Sequence, residues 1–453
     1  MGQEIEQLAR FVAQTGLEQI PPEVQRHAKL VVLDTLGVIL AGAERPEVRA
    51  LREKMSGTAG TGATVFAPGW PTHDPRTAAL LNTIAGRSIE LGEGNRYVSY
   101  PGAMQISPGV LAVGEWAQTS GREMLAALIL GYDFGARIAA AMTSRPLAHQ
   151  NGQAALLGAA VAGARMRGLN AADTSRAARI ATTLVLTPSY NNAIAGATTL
   201  NVAGGMSGFV AGFVPELAAA GFTAQDDAIE EALTHLVGDG FRPGVLLDEL
   251  GTRWDITRDW FRLRACCNPI YAALDALEAA LAELKPRPDD IERIDVATFR
   301  FAAAMRNPDP PNFFASKYSF PHAAAALVIN GGTGHAQLDD KAVHDPAIAA
   351  LRQRVHVTED AAMTAAAPRL KPARVTLTLK DGRQTTHSCD SPRGDCLNPY
   401  TDGEIRAKFR ELTAHALTPA GAAAVESAVD RCDAWTSVRE LADLLRRGGL
   451  NKT

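Results

Sequence analysis

Ser120-Gly121-Arg122-Glu123-Met124-Leu125-Ala126-Ala127-Leu128-Ile129-Leu130-Gly131-Tyr132-Asp133-Phe134-Gly135-Ala136-Arg137-Ile138 reads as the opening of one long helix. Ser120 stands at the N-cap position, and Glu123 is spaced to complete a capping box on it. From there to about Met142 the stretch is apolar nearly all round, which places it inside a bundle. Outward on both sides the same texture continues. Pro21-Pro22-Glu23 opens a helix in which Val24, Ala28, Val31, Val32, Thr35, Leu36 and Ile39 recur at helical spacing until Ala41-Gly42. Further helices are expected over residues 77–89, 108–117, 153–167, 171–186 and 206–220.

The texture changes after Leu284. Lys285-Pro286-Arg287-Pro288 breaks the helical run, and Ile291 to Phe299 mixes polar and apolar residues as a strand does. Arg374-Val375-Thr376-Leu377-Thr378-Leu379 alternates strictly, and Lys380-Asp381-Gly382 turns it into a second strand over residues 384–388. Helical sequence lies between them, around residues 320–329, and returns from Thr401 to Arg447. The predicted fold class is mainly α: a large all-helical domain, residues 1–280 plus 400–453, carrying a smaller α+β lid domain, residues 281–399, near the C-terminus.

Composition narrows the function. The formal net charge is −4, with 45 Lys and Arg scattered rather than clustered. That argues against nucleic acid as a partner, which needs a basic stripe to release counterions. The start of the sequence is polar and acidic, and no run of roughly 20 consecutive apolar residues is visible, so no membrane partner is expected. The five cysteines, Cys266, Cys267, Cys389, Cys396 and Cys432, fit no zinc spacing. They predict a reduced, cytoplasmic setting and no metal site.

Several stretches, in order along nearly the whole chain, resemble the MmgE/PrpD family. They are Leu33-Asp34-Thr35-Leu36-Gly37-Val38, Ser120-Gly121-Arg122-Glu123 with Gly131-Tyr132, the His149 segment before Gly158-Ala159-Ala160, Ala265-Cys266-Cys267-Asn268, Lys317-Tyr318-Ser319-Phe320-Pro321-His322, and Ser391-Pro392-Arg393-Gly394-Asp395 with Asn398-Pro399. The resemblance implies a homodimer that needs no cofactor and acts by proton transfer at carbon on a small anionic carboxylate.

It also singles out residues. Where dehydratase- and decarboxylase-like members read His-x-x-Asp-Phe-Asp-Asp-Thr and then His-Pro, this chain has Arg87 to Pro101. Glu90 stands at the first acidic position, Glu93 at the second pair, Gly94 for the Thr and Tyr100 for the His. The same loop offers Asn95 and Arg96 as substrate ligands; read without the family, Glu90 and Arg96 are equally a solvated pair. His149 matches a family His used in proton transfer, with Gln150 beside it as a ligand. A single His read alone is more often a cap or a surface residue. Arg262 falls where a Lys is found, and a guanidinium there suits a two-point carboxylate clamp. Another family Lys falls at Thr198. His322 replaces a catalytic Tyr, with Lys317 just before it.

The expected catalytic set is therefore His149, Tyr100, His322 and Glu90. The expected substrate ligands are Arg262, Asn95, Arg96, Gln150, Thr198 and Lys317. Cys267 reads as a packed thiol. Three functions fit these residues: a dehydratase or decarboxylase of a di- or tricarboxylate, an epimerase or isomerase of a similar anion, and a non-catalytic carboxylate-binding dimer.

Overall fold

The computed structural model describes residues 2–56, 62–98 and 100–450. The fold is mainly α. Its centre is built from α1 (Pro22–Gly42), α2 (Pro75–Arg87), α3 (Gly102–Ala117), α4 (Gly121–Ala141), α5 (Ala154–Met166) and α6 (Thr199–Ala219). Helix α4 is buried along almost its full length, as its all-round apolar sequence requires. Ser120 caps it by accepting from the Glu123 N–H at 3.3 Å. The Glu123 carboxylate does not close the box, because it pairs instead with Arg165 of α5 at 2.7 Å.

Small residues set how closely these helices approach. A Cβ on Gly163 of α5 would stand 1.9 Å from the Ala211 carbonyl oxygen of α6, so only glycine allows that backbone contact. Helix α3 begins six residues earlier than its sequence predicts and carries Pro108 inside it. Helix α6 likewise starts at Thr199 rather than 206. By length and composition α4 and α6 could each cross a membrane; α4 is mostly buried in the protein and α6 about half buried.

The four longest strands lie between residues 291 and 389: β1 (Ile291–Thr298), β2 (Val355–Glu359), β3 (Ala373–Leu379) and β4 (Gln384–Cys389). They form one sheet in the order β4-β3-β1-β2, antiparallel except for the β1–β2 pair. The β3–β4 hairpin turns at Gly382, whose φ of 88° lies in the left-handed region that glycine enters at little cost. Helix α7 (Tyr271–Leu284) packs on β3 and β4, across the expected boundary at residue 281. α8 (Phe320–Asn330) follows Ser319, which caps it. Beyond the sheet, helix α9 (Asp402–Thr413) returns to α1: Lys408 donates to Asp34 at 2.6 Å and to the Leu91 carbonyl at 2.8 Å, both ends buried. Asp34, in the first of the sequence stretches quoted above, thus braces the turn that carries Glu90.

Candidate active site

A cavity of about 450 Å³ opens between the helical centre and the segment leading into β3. Its floor comes from the turn after α2. Helix α2 ends at Arg87, and Glu90 then adopts φ 52°, a left-handed conformation that costs a non-glycine residue about 1–2 kcal/mol. What holds it is Arg262, whose Nη1 donates to the Glu90 carbonyl at 2.9 Å and also to its carboxylate. Arg87 approaches the other carboxylate oxygen at 3.5 Å. Burial alone would raise the Glu90 carboxyl, but Arg262 and Arg87 hold it at about 2. Glu90 is therefore an anion at neutral pH and too weak a base to take a proton from carbon.

The two guanidiniums are not saturated by it. Nε and Nη1 of Arg87 and Nε of Arg262 are buried with no hydrogen-bond partner. Arg262 reaches this place because a two-residue ribbon pairs Gly94–Asn95 with Asp259–Trp260. A Cβ on residue 94 would strike the Trp260 ring at 2.4 Å, which accounts for glycine where the family has Thr.

His149 stands opposite. Its N–H donates to the Pro188 carbonyl at 2.8 Å, and its ring stacks on Tyr190 with centroids 5.2 Å apart. Nδ1 accepts the Asn151 backbone N–H at 3.1 Å. Burial first, and Arg87 second, push the imidazole down to about 3. A neutral ring that accepts at Nδ1 carries its proton on Nε2, so His149 offers the cavity a hydrogen-bond donor rather than a base.

Of the other expected residues, Gln150 lines the cavity, half-buried. Asn95 and Arg96 also line it, yet the first is hydrogen-bonded through both amide atoms and the second is held by an ion pair and two carbonyls. The Asn95 side chain donates to the Asp255 carbonyl at 2.9 Å and accepts the Tyr97 and Val98 N–H groups at 2.9 and 3.3 Å. Arg96 donates to the carbonyls of Pro368 and Arg369 at 2.9 and 2.7 Å and pairs through Nε with Asp395 at 2.5 Å, both side chains fully buried. Arg96 is a latch on the segment before β3, not a free ligand. Tyr100 lines the cavity, but its hydroxyl donates to the Tyr132 carbonyl at 3.2 Å, in space left by Gly135 and Gly158. That removes it as an acid–base group.

Three of the expected residues, His322, Lys317 and Thr198, are placed outside the lining of this cavity. His322 sits fully buried near the start of α8, both ring nitrogens without partners, pushed down to about 3 by burial and Arg352. Lys317, also fully buried, donates to the Leu338 carbonyl, stands 3.9 Å from the Phe313 ring centroid and is brought down to about 7 by burial. Thr198 is half-buried just before α6.

The cavity also recruits residues that sequence reasoning passed over. Tyr318 lines it with a buried hydroxyl that has no partner. Tyr190 packs edge-on to Tyr318, and its hydroxyl lies 3.8 Å from the Cys267 sulfur. Burial pushes that thiol up to about 12, which makes it an inert packed group. Lys371 arrives from the segment before β3 and donates to Asn268 Oδ1 at 2.6 Å. Phe299, Phe301, Val98 and Pro368 make an apolar rim. Among the described residues no group of three or more His, Cys, Asp or Glu is placed to hold a metal ion.

Comparison with known proteins matches two family models, the MmgE/PrpD N-terminal domain over residues 6–237 and the MmgE/PrpD C-terminal domain over residues 265–434. A "cis-aconitate decarboxylase-like protein oryM" of Aspergillus oryzae is 22% identical over 97% of this chain and 96% of its own length. A "cis-aconitate decarboxylase" of Aspergillus terreus is 22% identical over 97% of this chain and 95% of its own.

Proposed function

This chain belongs to the MmgE/PrpD family, and on that premise we propose that it is a lyase acting on a small carboxylate in the cavity between Arg87, Glu90, His149 and Arg262. The observation that carries this reading is the pair of buried guanidiniums that share one carboxylate and keep donors to spare. An anion placed against those donors satisfies buried N–H groups that otherwise cost free energy. The relatives named as decarboxylases support the lyase over the other members of the same scaffold.

The kinds of group in the cavity favour decarboxylation. The lining supplies cations, the His149 Nε2–H and the hydroxyls of Tyr190 and Tyr318, which burial keeps protonated. In the proposed step the bond from carbon to one carboxylate breaks, its electron pair stays on carbon and carbon dioxide leaves. The remaining carboxylate takes up the enolate-like charge against Arg87 and Arg262, with His149 donating a hydrogen bond to it. Tyr318 then gives its proton to carbon and recovers it from water. These groups supply the charge stabilisation without a cofactor. A homodimer fits the apolar outer stripe of α6, Val202, Met206, Phe209 and Phe213, and the cytoplasmic setting stays part of the proposal.

The test is turnover of polycarboxylates, cis-aconitate first, in heavy water. A lyase of this kind releases carbon dioxide and places one deuterium in each product molecule. Deuterium in recovered or inverted substrate, with neither carbon dioxide nor water lost, overturns the proposal in favour of an epimerase.

A further inference from the structure

The charges facing the cavity do not cancel. Arg96 is neutralised by Asp395, and Arg87 and Arg262 share Glu90. His149 is uncharged, and the Cys267 thiol and the Tyr100, Tyr190 and Tyr318 hydroxyls keep their protons. Lys371 remains. Its ammonium donates to Asn268 Oδ1 at 2.6 Å and stands 5.5 Å from the Trp260 ring centroid, and among the described residues it makes no ion pair. Burial brings it down to about 8, which leaves it mostly protonated at neutral pH. Three cations against one carboxylate leave a surplus of two positive charges around one cavity.

We propose that Lys371 is a second carboxylate anchor, so that two carboxylates of one substrate are held by different parts of the chain. One carboxylate meets the spare donors of Arg87 and Arg262 on the helical side. The other meets the Lys371 ammonium on the segment that enters β3. A half-buried cation with only a neutral amide partner is poorly compensated, and a carboxylate removes that cost while contributing a charge-assisted hydrogen bond. Two features fix where Lys371 stands. Arg96 holds the carbonyls of Pro368 and Arg369, and Thr298 of β1 donates to the Pro372 carbonyl at 2.8 Å. Lys371 thus sits between two tethered points of the backbone. A substrate with a single carboxylate leaves one of the two cation sites empty.

This inference rests on the reading of the cavity as a carboxylate site and adds one residue that selects among its substrates. The test is calorimetric binding of glutaconate, with two carboxylates, and crotonate, with one, to the full chain and to its Lys371→Met and Lys371→Arg variants. The wild type is expected to bind glutaconate about tenfold to a hundredfold more tightly than crotonate, the range of one hydrogen bond to a charged group. Lys371→Met should remove that preference and leave crotonate unchanged, and Lys371→Arg should restore part of it. Unaltered glutaconate affinity in Lys371→Met overturns the anchor, as does an equal loss for both ligands in a variant that melts like the wild type. If Lys371→Met fails to fold, the same comparison in Lys371→Arg decides, since equal affinities for the two acids overturn the anchor there too. Failure of the wild type to bind either acid overturns the carboxylate reading as well, so the two failures are told apart.

Discussion

Two buried histidines show how partners and position separate similar side chains. His149 keeps one nitrogen on the Asn151 N–H and turns the other to the cavity, whereas His322 has neither nitrogen partnered and lies outside it. Loss of a positioned donor costs about a hundredfold to a thousandfold in kcat, so His149→Ala should fall in that range. His149→Gln, which keeps an N–H donor and cannot titrate, should retain much more. The kcat/KM profile between pH 5 and 7 should carry no inflection that His149→Gln removes; finding one restores His149 as a base. His322→Leu should leave kcat largely unchanged and leave stability equal or raised by about 1–3 kcal/mol, because an unsatisfied buried ring is removed. Denaturant unfolding and steady-state kinetics check both. The sequence pointed to His149, Glu90 and Arg262 because family motifs are local strings. It missed Tyr190, Tyr318 and Lys371 as site groups, since their place in the cavity depends on packing between segments far apart in the chain.

At the scale of elements, helix periodicity and turn chemistry were legible. The β3–β4 hairpin and the cap of α4 could be read directly from Lys380-Asp381-Gly382 and Ser120. The early starts of α3 and α6 were not, because tertiary burial overrides the weak signals of Pro108 and of the glycines near residue 204. Close helix contact sets one expectation. Gly163→Ala should destabilise by about 1–3 kcal/mol, since its methyl group meets the α6 backbone, which has no rotamer to yield. The latch sets another. Arg96→Met leaves Asp395 buried and unpaired, at a cost of about 3–5 kcal/mol. Adding Asp395→Asn should recover part of that; no recovery in urea unfolding shows that the carbonyl contacts to residues 368 and 369 dominate instead.

Over the whole molecule, buried imidazoles set the response to acid. His149 and His322 are pushed down to about 3 and His335 to about 4. Their unfolded values lie near 6.5, so the unfolded chain binds more protons below that pH. Their contribution is fully present above about 6.5 and is lost as the pH falls toward 3 or 4. Glu93, Asp133, Asp34 and Glu115, whose carboxyls burial raises, and His27, raised beside Asp259, act in the opposite sense. The test is therefore a difference: between pH 6.5 and 5 the Tm of His322→Leu should fall less, or rise more, than that of the wild type. Parallel Tm profiles for the two proteins overturn the role given to His322.

Glu90 has one more consequence. Its carboxylate already occupies the guanidiniums that the proposed substrate would use, like a tenant the substrate has to share with rather than evict. Stray monoanions of the cell then meet a clamp that is partly filled, and their hold on it stays shallow. The same arrangement limits how firmly a spent product can linger, so turnover need not wait on release. Affinity is given up at the one place where too much of it would slow the cycle.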